Sequence, residues 1–396
     1  MKARFRDWSS LPAELIESIS DRLPADADTI HIHQVCSHWC ASTSPLAAPR
    51  PWVVAGHPRL GRERWHKVYP VGRYSLWLPR GRVPVPVPRA PPGLSHCLGT
   101  PRGWLALAAA DADAPTSPPP APLLLWEPVS RSEIHIPYLR GVLQVFLSAD
   151  PLICSPAAGR GWMALASHRA AGGTATDLCR VSYWRPGDAA WTDLAGRTVY
   201  PVNSAAFHQG KFYFTCDNGT FFGYDLNPGG GRFLFYKTTG MFDSSVCDCC
   251  EVHPVRAVHV AACAGDLLLV AVGRSFGRHR RGGVVRVYRP AVRAVERGMT
   301  VMEPGERVSD LGEHALFLGR GESFALSANE FPGIERNHVY YVDHDQSQSE
   351  QRQWISVFDL SSNVCERVPY PVEHRNDGSN WWPYTWFCPR RPFLVQ

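Results

Sequence analysis

RGWLAL at residues 102–107 recurs as RGWMAL at 160–165, and this recurrence decides how the rest of the chain is read. Each copy is a turn-forming glycine followed by a short apolar run of strand length. Looser versions follow as QGKFYF at 209–214, AGDLLLV at 264–270 and RNHVYYV at 336–342. After each comes a second strand-like run that ends in an aromatic residue and a turn. The endings are Trp126-Glu127-Pro128, Trp184-Arg185-Pro186, Tyr224-Asp225-Leu226, Tyr288-Arg289-Pro290 and Phe358-Asp359-Leu360. A third short run then appears, clearest in EIHIP at 133–137, AWTDL at 190–194, RFLFY at 232–236 and CERVP at 365–369.

With the hairpin signature of RWHKVYPVGRYSLWLP at 64–79, this gives about six units at a spacing of roughly 40 to 70 residues, the length of a four-stranded blade with variable loops. A single blade exposes both faces, so blades are stable when neighbours in a ring cover them. Residues 50–396 are therefore expected to form a β-propeller. The competing architecture, a pair of β-sandwiches, requires no recurring unit.

Two proline-rich stretches interrupt the pattern. VPVPVPRAPP at 83–92 is too proline-rich for a central strand and reads as a surface linker. DADAPTSPPPAP at 111–122 reads as a loop inserted between strands. Outside the first fifty residues no stretch has a convincing helical period, in keeping with 33 Gly and 35 Pro.

The N-terminus differs. In LPAELIESISDRL, residues 11–23, the apolar Leu11, Leu15, Ile16, Ile19 and Leu23 line one side of a helix. Pro12 suits its first turn, Glu14 complements its dipole, and Pro24 stops it. A second run places Ile30, Ile32, Val35, Cys36 and Trp39 at spacings that fit further short helices. About forty residues are too few to hide so many large apolar groups, each of which forfeits about 1.5–3 kcal/mol when left wet. A second polypeptide is expected to cover part of them, the alternative being a helical cap packed on the following domain.

The same residues carry a resemblance. LPAELIESISDRL followed by VCSHWC at 35–40 resembles the F-box, a three-helix module that docks on the small adaptor subunit of cullin-RING ubiquitin ligases, the S-phase-kinase-associated protein. Residues 5–45 would form it, and the resemblance implies that Leu11, Pro12, Leu15, Ile16, Ile19, Leu23, Val35, Cys36 and Trp39 bind the adaptor. The middle turn departs from the usual pattern, with Ile30-His31-Ile32-His33 in place of a leucine and a basic residue.

DLGEHALFLGRGESFALSANEFPG at 310–333 and WWPYTWFCP at 381–389 resemble signature segments of the large plant F-box family whose C-terminal domain is a KIB-type, kelch-like β-propeller. The resemblance implies a small all-α F-box followed by an all-β propeller. It also implies a substrate-receptor subunit of an SCF-type ubiquitin ligase, with the propeller recruiting an unidentified target. Neither a catalytic residue nor a cofactor or metal is implied. The alternative from another class is a propeller enzyme or small-ligand binder that uses its central channel under a helical cap.

Composition narrows the partners. A formal charge of +5 over 396 residues, with scattered basic residues, does not call for nucleic acid. Only Lys2, Lys67, Lys211 and Lys237 are lysines, so arginine supplies the remainder of the 41 basic residues. No secretory signal is read at the N-terminus, since Glu14, Glu17 and Asp21 break the first apolar run, and Leu267–Val272 is too short to span a bilayer. The expected location is the cytosol or nucleus, with no membrane partner. The twelve cysteines, among them Cys154, Cys179 and Cys216, lack the spacing of a disulfide scaffold and are expected as reduced, buried thiols.

Three local patterns suggest chemistry. Gly273-Arg274-Ser275-Phe276-Gly277 matches a nucleophile elbow, but the sequence after it reads as a loop into a strand, where an elbow requires a helix. Cys247, Cys249, Cys250 and His253 supply zinc-type ligands without the second separated pair of a structural site. Arg274, Arg278, Arg280 and Arg281 concentrate positive charge, and Asp343-His344-Asp345 reads as a polar hairpin tip.

Overall fold

The alternating apolar runs become strands that pair in sequence order, as the unit requires. The computed structural model of the protein describes residues 8–23, 32, 35–43, 51–56, 75–78, 81–86, 91, 94–109, 123–127, 132–152, 161–169, 179–194, 202–216, 220–225, 232–236, 255–274, 283–295, 299–331, 334–343, 354–369 and 382–388. Two antiparallel sheets are contiguous in sequence. One holds β4 (Leu94–Gly99), β5 (Leu105–Ala109), β6 (Leu123–Trp126) and β7 (Glu133–Ile136). The other holds β8 (Val142–Leu147), β9 (Ala164–Arg169), β10 (Cys179–Trp184) and β11 (Thr192–Asp193).

Two further units of the same order follow. These are β12 (Val202–His208), β13 (Lys211–Cys216), β14 (Phe221–Asp225) and β15 (Arg232–Tyr236), then β16 (Val255–Cys263), β17 (Asp266–Arg274), β18 (Gly283–Val295) and β19 (Met299–Val308). The next unit is irregular. β20 (His314–Leu318) pairs with β21 (Gly321–Ser327) on one side and, in parallel, with β22 (His338–Asp343) on the other. Beyond these lie β23 (Trp354–Asp359) and β24 (Val364–Pro369).

The first and last parts of the chain share one sheet. In it β25 (Trp382–Phe387) pairs antiparallel with β1 (Trp52–Gly56), followed by β2 (Ser75–Leu78) and β3 (Gly81–Pro86). Clasping the C-terminal strand into the first sheet closes the ring and covers an edge that would otherwise stay unpaired. Each of five apolar clusters lies between two neighbouring sheets. Trp104 and Leu125 meet Val145 and Trp162, and Phe146 and Val181 meet Phe212 and Phe214. Tyr213 and Phe221 meet Leu269, Val270 and Val287 meet Leu360, and Phe317 and Tyr340 meet Val53 and Trp386. The core is thus a set of seams radiating between blades, as a propeller requires and a pair of sandwiches does not.

One expectation is corrected. Residues 83–86 of the first proline-rich stretch are no linker but part of the strand β3, which among the described residues stands at the edge of its sheet, where a strand tolerates Pro84 and Pro86. In the four regular blades one strand, β4, β8, β12 or β16, precedes the recurring motif. The inserted loop at 111–122 lies outside the described residues.

β21 is the departure with the largest consequence. It runs parallel beside both β12, through Ser204↔Gly321 and Ala205↔Glu322, and β16, through Ala261↔Ser323 and Ala262↔Phe324. It also touches β8 and the 3-10 turn Pro101–Gly103. One strand therefore lies on the axis of the ring.

Before the ring come a 3-10 turn, Trp8–Ser10, and the helices α1 (Ala13–Ser20) and α2 (Ser37–Ala41). Ile32 and Val35 are helical. Residues 24–31 and 33–34, which hold the expected middle turn, lie outside the described residues.

Candidate functional site

The predicted docking residues separate into two groups. Ile16 is fully covered, and Leu11, Leu23, Cys36 and Trp39 are half-buried. Leu15, Ile19 and Val35 are 52%, 39% and 54% exposed, joined by Trp8 at 63%. Leu15 and Ile19 are four residues apart, so they stand on one face of α1, with Pro12 exposed one turn before them at the helix N-cap.

α2 is brought back to the start of α1 by two side chains that bond backbone. Trp39 Nε1 donates to Trp8 O at 2.9 Å, and His38 Nε2 donates to Leu11 O at 2.8 Å. The VCSHWC segment thus meets the start of LPAELIESISDRL, and the exposed apolar groups of both share one small unit. His38 was not singled out in the sequence. Its signal was its place beside Trp39 in the closing motif.

Most of the chemical candidates, Ser275, the cluster at 247–253, Arg278, Arg280, Arg281, His344 and Asp345, lie outside the described residues. Arg274 ends β17 opposite Gly283, the first residue of β18, so the next described element after the elbow pattern is a strand. Asp343 ends β22 opposite Trp354. Cys179 and Cys216 are buried, and burial pushes the Cys97 thiol up to about 12 and that of Cys263 to about 11, which keeps both of these protonated and inert.

One constellation was missed in the sequence. His168 on β9, Ser182 on β10 and Asp193 on β11 stand side by side across one blade. Ser182 Oγ lies 2.8 Å from His168 Nε2 and donates to Asp193 Oδ1 at 2.5 Å. The residue types are those of a hydrolase, but the wiring differs. The serine proton goes to the carboxylate, so the imidazole donates to the hydroxyl, whereas a general base must accept from it. Burial lowers the His168 pKa against the pull of Asp193, and the Ser182 hydrogen bond lowers that of Asp193. The cluster ties the exposed two-residue strand β11 to its blade. Its signal was weak, since the three residues are 11 to 25 positions apart and meet only through strand register.

A cleft of about 940 Å³ opens between the last two sheets, over an apolar floor of Val285, Val287, Val308 and Leu360. Asn337 frames it, bonding Leu311 N at 2.9 Å and Ser361 Oγ at 2.7 Å. Among the described residues, no helix is long and apolar enough to cross a membrane.

Against known proteins, a search of the curated proteins found no match. Solved structures give loose likenesses. TolB from Acinetobacter baumannii is 13% identical with a TM-score of 0.40, over 85% of this chain and 66% of that one. The computationally designed Ika8 protein is 13% identical with a TM-score of 0.30, over 69% of this chain and 61% of that one. The β-propeller domain of Cps50 (Swd1) from Myceliophteria thermophila is 8% identical with a TM-score of 0.37, over 81% and 90%. The chain thus spans less than two thirds of the first two of these proteins. The KIB1-4 beta-propeller family model, in contrast, matches residues 74–359, well over half of the chain and most of its blades, from β2 to β23. By that match the chain belongs to the KIB1-4 β-propeller family.

Proposed function

We propose that the protein is a substrate-receptor subunit of an SCF-type cullin-RING ubiquitin ligase. The N-terminal helices act as an F-box that binds the S-phase-kinase-associated adaptor, and the propeller recruits a target protein. The observation that carries this reading is the exposure of Trp8, Leu15, Ile19 and Val35 together on one small helical unit, whereas among the described residues of the ring only Leu152 and Val364 are large, apolar and exposed. Large apolar side chains are stabilised when a partner takes them out of water, and Leu15, Ile19 and Val35 are docking positions of the F-box pattern. In this reading the chain works in the cytosol or nucleus and supplies no catalytic group. Holding the target near a conjugating enzyme carried elsewhere raises its local concentration, and this is the whole contribution.

The rival use of the central channel for a small ligand is disfavoured because β21 lies there. The test is capture of the adaptor by the full chain and by a variant carrying Leu11→Ala and Pro12→Ala. Loss of capture by a variant with an unchanged melting temperature is expected. Equal capture by both proteins overturns the reading.

A further inference from the structure

Five residues after β4 reach three different parts of the ring. Thr100 Oγ1 donates to Trp386 O of the closing strand β25 at 2.7 Å. Arg102 donates its backbone N–H to Glu322 Oε2 of the axial strand at 2.8 Å, and its Nε lies 2.8 Å from Oε1 of the same carboxylate. Trp104 Nε1 donates to Asp150 Oδ1, beyond the end of β8, at 3.2 Å, and the same oxygen accepts from Leu152 N. All four partners are buried or nearly so, with Thr100 4%, Trp104 0%, Asp150 3% and Glu322 9% exposed. Arg102 takes the left-handed φ of +52° that aims its N–H and its side chain at one acceptor.

The pairing of β21 is thin where it enters the axis. It shares two residue pairs with β12 and two with β16, in parallel. Its other half, Phe324–Ser327, is held by four pairs with β20, so the weakly held part is Gly321–Ser323, where a shift by one residue would turn Glu322 to the opposite face. A buried ion pair is a poor source of net stability, since desolvation offsets the attraction, and its best-attested use is to specify register.

We propose that residues 100–104 are the closure hub of the ring, and that the Arg102–Glu322 pair selects the register of the axial strand while adding little to stability. The hub joins the first sheet, the axis and the third sheet through one turn, so ring closure and axial register are set together. This does not depend on what the N-terminal helices bind.

The test is hydrogen exchange and thermal melting on the full chain and three variants. Glu322→Leu takes the carboxylate away from the part-buried Arg102 side chain, and is expected to lower the melting temperature and to raise exchange in residues 321–327 and 382–387. Adding Arg102→Met is expected to restore the melting temperature while exchange in 321–327 stays faster than in the parent by about tenfold. Thr100→Val is expected to raise exchange in 382–387 alone. The proposal falls if the double variant regains parental protection in 321–327, or if it stays as unstable as the single one. It falls equally if Thr100→Val leaves 382–387 unchanged.

Discussion

The ring and the N-terminal helices draw on the same kinds of apolar side chain and treat them in opposite ways. Within the ring Trp104, Trp386 and Phe214 are completely covered, because each lies in a seam between neighbouring blades. In the N-terminal unit Ile16 and Ile32 are covered, while Trp8, Leu15, Ile19 and Val35 stay open to water. The difference lies in closure. A ring of sheets has no outermost member, so most of its apolar surface finds partners within the chain, with Leu152 and Val364 outside the seams. Short helices have an outer face, and whatever it presents is left for another molecule.

The sharpest way to break this contrast is at the closing strand. Trp386 is fully buried, stacks edge-on against Phe317 and donates Nε1 to Leu318 O at 3.1 Å. Trp386→Ala is expected to cost about 3–5 kcal/mol of unfolding free energy, readable by denaturant titration. A loss under about 1 kcal/mol would mean that β25 is not needed for closure.

Acid should act on the ring as well. His259 is buried on β16 with Nδ1 unpartnered, and burial brings its pKa down to about 4. The unfolded chain takes up the proton below about pH 6.5 while the folded one resists it, so the stabilising effect is whole above that value and drains away as pH falls toward 4. The full loss is about 3 kcal/mol. His168 has the same sign, through burial. Glu322, whose pKa burial raises, has the opposite one and costs stability as pH rises past its ordinary value. His259→Gln is expected to flatten the dependence of melting on pH between 4 and 6.5, and an unchanged slope would assign it elsewhere.

On the N-terminal unit the same kind of truncation should read out in binding and not in folding. Leu15→Ala with Ile19→Ala is expected to shift stability by less than about 0.5 kcal/mol per site. Affinity for the adaptor is expected to fall by about tenfold or more, measured by titration calorimetry. A comparable loss of stability would place these groups in the core. The smallest effect is expected at the surface. Arg336 lies 3.2 Å from Glu313 with both groups largely exposed, and Arg336→Ala should move stability by no more than about 0.5 kcal/mol.

Much of the ring could be read from residues. The second strand of each unit was legible in its aromatic ending, and the third in its alternation, because both follow local rules of period and turn. The inner strands were not. Val202–His208 carries Asn203 and Ser204, whose polar groups look out of place until the structure supplies Val258 O and Ser323 Oγ as partners. β3 was obscured by Pro84 and Pro86, because only position in the sheet says whether a missing N–H matters. The His168–Ser182–Asp193 cluster exists only through register across three strands.

The order of residues was enough to establish that strands recur, that helices come first, and that these helices carry more apolar surface than they can hide, since all of this follows from spacing along the chain. It could not say that the last strand would clasp the first sheet, or that Gly321–Ser327 would leave the rim for the axis and meet Arg102 there. Those outcomes depend on groups up to several hundred residues apart becoming neighbours. Which of them meet is set by how the sheets twist and close, which no local stretch contains.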